Sequence, residues 1–145
     1  MHQITENLAV GDADDVANPP SFMTVVLNVA LEITIEPPAG KVYHWIPFRE
    51  YAEADPILLD EAVSWLERHA AGNDVLICCR AGMGRSVSVA IAHLCLTNGM
   101  PYQEAFDLVC RRHPGASPLP ELEGTILVVQ TLRRKRDLRR DAGAA

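Results

Sequence analysis

Residues 75–86, VLICCRAGMGRS, constrain this chain more than any other stretch. A short apolar run ends at Cys79, a loop with two glycines follows, and a helical pattern opens at Arg85 and runs through RSVSVAIAHLCLTN to Gly99. Strand, tight loop and helix N-terminus in this order are how α/β sheets hold anions at the carboxyl ends of their strands. Five residues (Arg80, Ala81, Gly82, Met83 and Gly84) lie between Cys79 and Arg85, enough for one turn of loop around a tetrahedral oxyanion. Gly82 and Gly84 permit the backbone angles that point successive N–H groups inward as an anion nest. Arg85 adds a two-pronged guanidinium that lysine does not imitate.

The same inward field favours the thiolate of Cys79 over the thiol. Nucleophile and phosphate site therefore come from one loop. A nucleotide-binding P-loop needs GxxxxGK[ST], and no lysine follows these glycines. A glycine-rich turn with an incidental cysteine, and a rhodanese-like sulfur transferase, are the competing readings.

The rest of the chain reads as strands alternating with helices. Residues 24–31, Val42–Phe48 and Val75–Cys79 have the length and β-branched content of buried strands, with Ile4–Val10 a weaker first one. Pro56 to Ala71 reads as a helix, with Leu58, Ala62, Trp65, Leu66 and His69 on one face. A further helix opens with Pro101 and ends near His113-Pro114, and a last one spans roughly Leu119 to Arg139. This predicts an α/β fold: a central, mostly parallel sheet of four to five strands with helices on both faces, and the cysteine loop between the last strand and the following helix. No linker or repeat divides the 145 residues, so one domain over 1–145 is expected.

Composition sets the remaining bounds. No apolar run reaches the roughly 20 residues of a membrane helix, and MHQITENLAV does not read as a secretory signal. Adjacent Cys78 and Cys79, with Cys95 and Cys110 inside helical patterns, suit neither a disulfide framework nor a zinc site. Free thiols point to a reducing, cytoplasmic compartment. No cofactor, metal or nucleic-acid partner is expected. Net charge is −6, yet residues 80–145 carry 10 basic and 6 acidic side chains, against 3 and 13 in residues 1–79. The half with the loop is the anion-friendly half, although six of its cations crowd into Arg133–Arg140. That basic helix and tail, about 133–145, is either a solvated face or a dock for an acidic surface.

CRAGMGRS resembles the signature loop of the protein tyrosine phosphatase superfamily, and the whole chain resembles its dual-specificity branch. ENLAVGDADD is similar to that branch's opening strand and turn, VVLNVALE to its second strand, HWIPF to the strand before its general-acid loop, and NGMPYQEAFDLVCRRHPGASP to the helix and loop after its catalytic helix. The resemblance implies a metal-independent, two-step hydrolysis of a phosphorylated protein or other phosphate monoester. Cys79 would form a thiophosphate, Arg85 and the loop amides from Arg80 to Arg85 would hold the phosphate, and Ser86 would help Cys79 leave. A shallow cleft would accept phosphotyrosine, with phosphoserine, phosphothreonine or a phosphorylated lipid as further candidates.

Three departures stand out. The family's histidine before the nucleophile is Cys78 here, turned away by strand alternation, which predicts a less stabilised thiolate. The asparagine of the loop after the third helix is replaced by Leu119. The family's acid is an aspartate; the matching residue is Glu50, with Asp55 as the alternative donor. A catalytically weak phosphate-binding module and a phosphoinositide phosphatase are the remaining readings. Arg111 and Arg112 are either flanking anion contacts or a solvated helix end. Met83 is expected to pack, and His44, His93 and His113, which have no partner visible in the sequence, to be packing or surface residues.

Overall fold

The structure, a computed structural model, describes residues 1–144. The first strand expected from the sequence is in fact a hairpin. β1 (His2–Thr5) and β2 (Leu8–Gly11) run antiparallel, because Glu6-Asn7 turns the chain back. β3 (Val25–Ala30), β4 (Val42–Phe48) and β5 (Val75–Cys78) fall within a residue or two of the apolar runs that announce them. The five strands form one sheet in the order β1-β2-β5-β3-β4, with every pairing except β1·β2 parallel.

Helices cover both faces of this sheet, unequally. Leu8, Val10, Val25, Leu27, Val29, Val75 and Ile77 face the larger core with α2 (Pro56–His69), α3 (Arg85–Asn98) and α5 (Leu122–Ala144). The alternate positions Ala9, Val26, Leu76 and Cys78 face a smaller cluster, closed by Met23 and by Val16 of α1 (Ala13–Ala17). This is the period-2 alternation of a strand buried on both sides. Cys78 therefore points away from the face that holds Cys79, as alternation requires.

Local chemistry explains the helix ends. Asp55 caps α2 through Ile57 N–H, with Pro56 in the first turn. Its buried face is Leu59, Ala62, Val63, Trp65 and Leu66, so Leu58 and His69 lie at the edge of the stripe. α3 is buried without interruption from Arg85 to Cys95 and stops at Gly99, which takes the left-handed conformation at φ 68. α4 (Tyr102–Arg112) follows Pro101. α5 begins three residues later than expected, after Pro120 and after Glu121 at φ 57. Asp60, buried on α2, accepts from Arg133 at 2.9 Å and pairs with Arg136 at 2.7 Å. Two cations of the basic run thus clamp α5 onto α2 instead of facing solvent alone.

Candidate active site

Four parallel strands end on one side of the sheet, and the residues that follow them converge there. Gly11 ends β2 with Asp12 next, Glu32 lies just beyond β3, Glu50 just beyond β4, and Cys79 follows β5. β5 lies between β2 and β3, so its end is flanked by two other strand ends. The result is a pocket of about 300 Å³ with Cys79, Ala81, Met83, Gly84 and Arg85 at its base. Glu50 and Tyr51 form one wall and residues 117–120 the other.

The loop between β5 and α3 is propped from outside. Cys79 N–H donates to Gly11 O at 3.2 Å, and Ala13 N–H donates to Arg80 O at 3.0 Å. Ser117 N–H donates to Met83 O at 2.7 Å. Gly84 O receives Ser88 N–H at 2.9 Å and the Ser88 hydroxyl at 2.8 Å. Gly82 sits at φ 71, and a Cβ there would lie 2.9 Å from Gly11 O, so both its angle and its space require glycine. Among the described residues, the N–H groups of Arg80, Ala81, Gly82, Met83 and Gly84 have no backbone partner.

Cys79 is buried, with Sγ and Ser86 Oγ 3.2 Å apart in a hydrogen bond. Arg85 is only 2% exposed and is the largest fully buried side chain of the protein among the described residues. Nη1 donates to Glu32 Oε2 at 2.7 Å and to Phe48 O at 3.0 Å, and Nη2 donates to Glu32 Oε1. Three of the five guanidinium donors are thereby used. The two left, Nε–H and the second Nη2–H, are the parallel side edge, a free fork for two oxygens of one oxyanion. The pairing holds the Glu32 carboxyl down at about 2, chiefly through its hydrogen bonds to Arg85, and raises Arg85 further above its ordinary range.

Glu32 was not singled out in the sequence. It is 53 positions from Arg85, and although it closes the VVLNVALE stretch that resembles the family's second strand, no spacing in that stretch ties it to the loop. Buried Asn28 aims it: Nδ2 donates to Ile33 O at 2.9 Å, and Ala30 N–H donates to Oδ1 at 3.0 Å, so the two bonds bracket Glu32. An asparagine inside the apolar run VVLNVA was the one available signal.

The two candidate acids separate. Glu50 lines the pocket, with Oε2 3.7 Å from Arg85 Nη2. Asp55 is exposed, outside the pocket lining, and its carboxylate is engaged by Ile57 N–H at 2.8 Å as the helix cap. Leu119 does not supply a side-chain polar group, but its backbone N–H donates to Ser88 Oγ at 2.8 Å, and that hydroxyl in turn holds Gly84 O. Met83 is partly exposed at the rim, so the packing expected of it is incomplete. Arg111 and Arg112 are exposed and outside the pocket lining. His44 stacks near Trp65 at 5.4 Å and His93 bonds Thr97 Oγ1 at 3.1 Å, whereas His113 reaches the loop itself.

A mostly parallel sheet with a cysteine-and-arginine oxyanion loop at its carboxyl edge defines a cysteine-dependent phosphatase fold. The family model described as dual specificity phosphatase, catalytic domain, matches residues 18–131, and the chain belongs to that family. It is 31% identical over 126 residues to dual specificity protein phosphatase 1B of Arabidopsis thaliana, covering 83% of this chain and 75% of the plant protein. It is 29% identical over 133 residues to human dual specificity protein phosphatase 9, covering 86% of this chain but 35% of the relative. Among solved structures, a mouse putative dual specificity phosphatase complexed with zinc tungstate superposes with a TM-score of 0.79 at 22% identity, over 93% of this chain and 89% of that one. Human DUSP28 gives 0.77 at 22% identity, over 93% and 99%. Among the described residues, no helix is long and apolar enough to cross a membrane.

Proposed function

We propose that residues 1–145 form one catalytic domain that hydrolyses phosphate monoesters, phosphotyrosine foremost, through a phosphocysteine on Cys79. The observation that carries this reading is the pairing, in one pocket, of a buried Cys79–Ser86 bond with an Arg85 whose side edge is left free. In the first step the Cys79 thiolate attacks phosphorus, the bond to the leaving oxygen breaks, and Glu50 passes its proton to that oxygen. In the second, water attacks phosphorus while Glu50 takes a proton from it. The P–S bond breaks, and the Ser86 hydroxyl receives the departing thiolate in a hydrogen bond. Arg85 and the loop amides hold the equatorial oxygens through both steps.

The pocket's shape favours an aryl ester. Met83, Pro118, Leu119 and Pro120 are apolar, and Tyr51 stands 85% exposed beside Glu50 at φ 61, a strained angle for a non-glycine residue. Phosphoserine and phosphothreonine are secondary substrates on this reading. A phosphoinositide headgroup with several phosphates would want several cations, and Arg85 is the one cation in the lining. The reactive thiol needs a reducing, cytoplasmic compartment. Any acidic-surface docking by the basic run falls to the exposed Arg134, Lys135, Arg139 and Arg140, since Arg133 and Arg136 are paired with α2.

The test is turnover of phosphotyrosine and of an aryl phosphate in chelator, with mass spectrometry of a quenched reaction. The expected outcome is hydrolysis with a phosphoryl group on Cys79. Phosphate binding with no turnover would make the protein a phosphate-binding module instead.

A further inference from the structure

In a trans peptide the carbonyl and the following N–H point in opposite directions, so a carbonyl held outward turns the next N–H inward. Around the signature loop this can be followed peptide by peptide. Arg80 O is held by Ala13 N–H, Met83 O by Ser117 N–H and Gly84 O by Ser88, which orients the N–H groups of Ala81, Gly84 and Arg85. The Gly82–Met83 peptide is different. Among the described residues no backbone donor reaches Gly82 O; its partner is His113 Nε2, at 2.8 Å, buried and 31 positions away in sequence.

That peptide is also the one with most freedom to rotate, because it follows a glycine in the left-handed region. Turned over, it would aim the Gly82 carbonyl at the phosphate and withdraw Met83 N–H. His113 is built to prevent this. It is 6% exposed and stacks on His2 of β1 with ring centroids 3.8 Å apart and planes 9° from parallel. A Cβ on Gly115 would stand 3.2 Å from its Cε1, so the glycine makes room for the ring. A carbonyl only accepts, so Nε2 carries the proton. Nδ1 is buried with no partner, the sole side-chain polar atom so left among the described residues. A histidine kept only for packing has no reason to bury one nitrogen unpaired while the other meets the catalytic loop.

We infer that His113 is a positioning residue of the phosphate loop: its Nε2–H fixes the Gly82–Met83 peptide so that Met83 N–H faces the phosphate, and His2 holds the ring in place. The inference rests on the phosphatase reading of the loop. It goes beyond that reading in giving the Gly82–Met83 peptide a side-chain anchor 31 positions away in sequence.

The experiment separates the donor from the packing. His113→Phe keeps a ring against His2 and loses the N–H; His113→Gln loses the ring and keeps an N–H at the same reach. Each is compared with the wild type for thermal unfolding, inorganic phosphate binding, vanadate inhibition and the pH profile of kcat/KM. The Phe variant is expected to bind both anions about 10-fold more weakly, with the acidic limb of its profile moved to higher pH. The Gln variant should recover most of both losses even if its melting temperature is lower. A folded Phe variant with wild-type anion affinity and pH profile overturns the inference, as does a Gln variant no better than Phe. If Phe does not fold, Gln is compared with Asn, which is too short to reach Gly82 O; equal anion affinities then overturn it. Wild-type protein that binds neither anion removes the phosphatase reading and this inference together, whereas wild-type binding with an unaffected Phe variant removes this one alone.

Discussion

Glu32 occupies the end of the Arg85 guanidinium, with Oε2 2.7 Å from Nη1 and Oε1 on Nη2, and so decides which edge of that side chain faces the pocket. On the proposed reading, the anchor and a bound phosphate would compete for no donor. Glu32 takes the end edge, Phe48 O takes the outer Nη1 proton, and the side edge remains. A buried cation is thus both neutralised and aimed by a carboxylate that itself stays one-third exposed.

Glu32→Gln should weaken this arrangement on two counts. Arg85 loses its counter-charge and much of its orientation, so phosphate affinity and kcat/KM should each fall about 10-fold. Stability should drop by about 2 kcal/mol, less than the loss of a partner in a fully buried pair. The loss depends on pH in a stated direction. Glu32 is depressed from its ordinary 4.5 to about 2, so between those values the unfolded chain binds the proton and the native one does not. The stabilisation is complete above about pH 4.5 and disappears as pH falls through about 2. Denaturant unfolding of the two proteins across pH 2 to 7 should show a gap that closes on the acid side. A gap constant over that range would detach Glu32 from Arg85.

Cys79→Ser should abolish turnover and keep phosphate and vanadate binding, because the loop amides and the Arg85 fork remain. Cys78→Ser should lower the rate modestly. Cys78 packs in the smaller cluster on the other face of the sheet, where burial pushes its thiol well up. An active Cys79→Ser beside an inactive Cys78→Ser would put the nucleophile at the wrong cysteine.

Arg85→Lys retains the charge but has three donors on one nitrogen where Arg85 divides five between Glu32, Phe48 O and the pocket. Anion affinity and kcat/KM should both fall by at least about 100-fold, measured by vanadate inhibition and steady-state kinetics. Near-normal kinetics would take Arg85 out of the mechanism.

The loop was legible because it is local: Cys79, two glycines, Arg85 and Ser86 lie within eight residues between a strand pattern and a helix pattern. What escaped was held at long range. Glu32 and His113 meet the loop across 53 and 31 positions, and no period or spacing in a single sequence encodes such pairs. The missed hairpin and the missed α1 have a different cause. Four- and five-residue elements are too short to show a period, although Asp12 and Asp15 form a capping box that marked the start of α1. The family likeness marked where the acid should be, and Asp55 competed as a second donor although its place before Pro56, at the start of α2, already offered it the capping role that Ile57 N–H on its carboxylate shows.

That competition yields the last prediction. Unactivated leaving groups depart poorly as anions, so a placed proton donor contributes roughly 10²–10⁴ in rate. Glu50 is on the pocket wall, within 3.7 Å of the Arg85 nitrogen that carries a free N–H, where a phosphate ester's leaving oxygen would be near. Its extra methylene relative to aspartate suits the wall position only if the 49–51 turn stands slightly back, and Tyr51 at φ 61 is the residue that turns the chain there. Glu50→Gln should therefore lose about 100-fold or more on phosphotyrosine and little on an ester of a strongly acidic phenol, which leaves without help. Asp55→Asn keeps a capping oxygen and should be near normal on both substrates, while Asp55→Ala should cost about 1 kcal/mol of stability with the same leaving-group dependence as the wild type. The measurement is the slope of log kcat/KM against leaving-group acidity for each variant. A steeper slope in Asp55→Asn and an unchanged one in Glu50→Gln would exchange the two assignments, and an unchanged slope in both would mean that the enzyme runs without a dedicated acid.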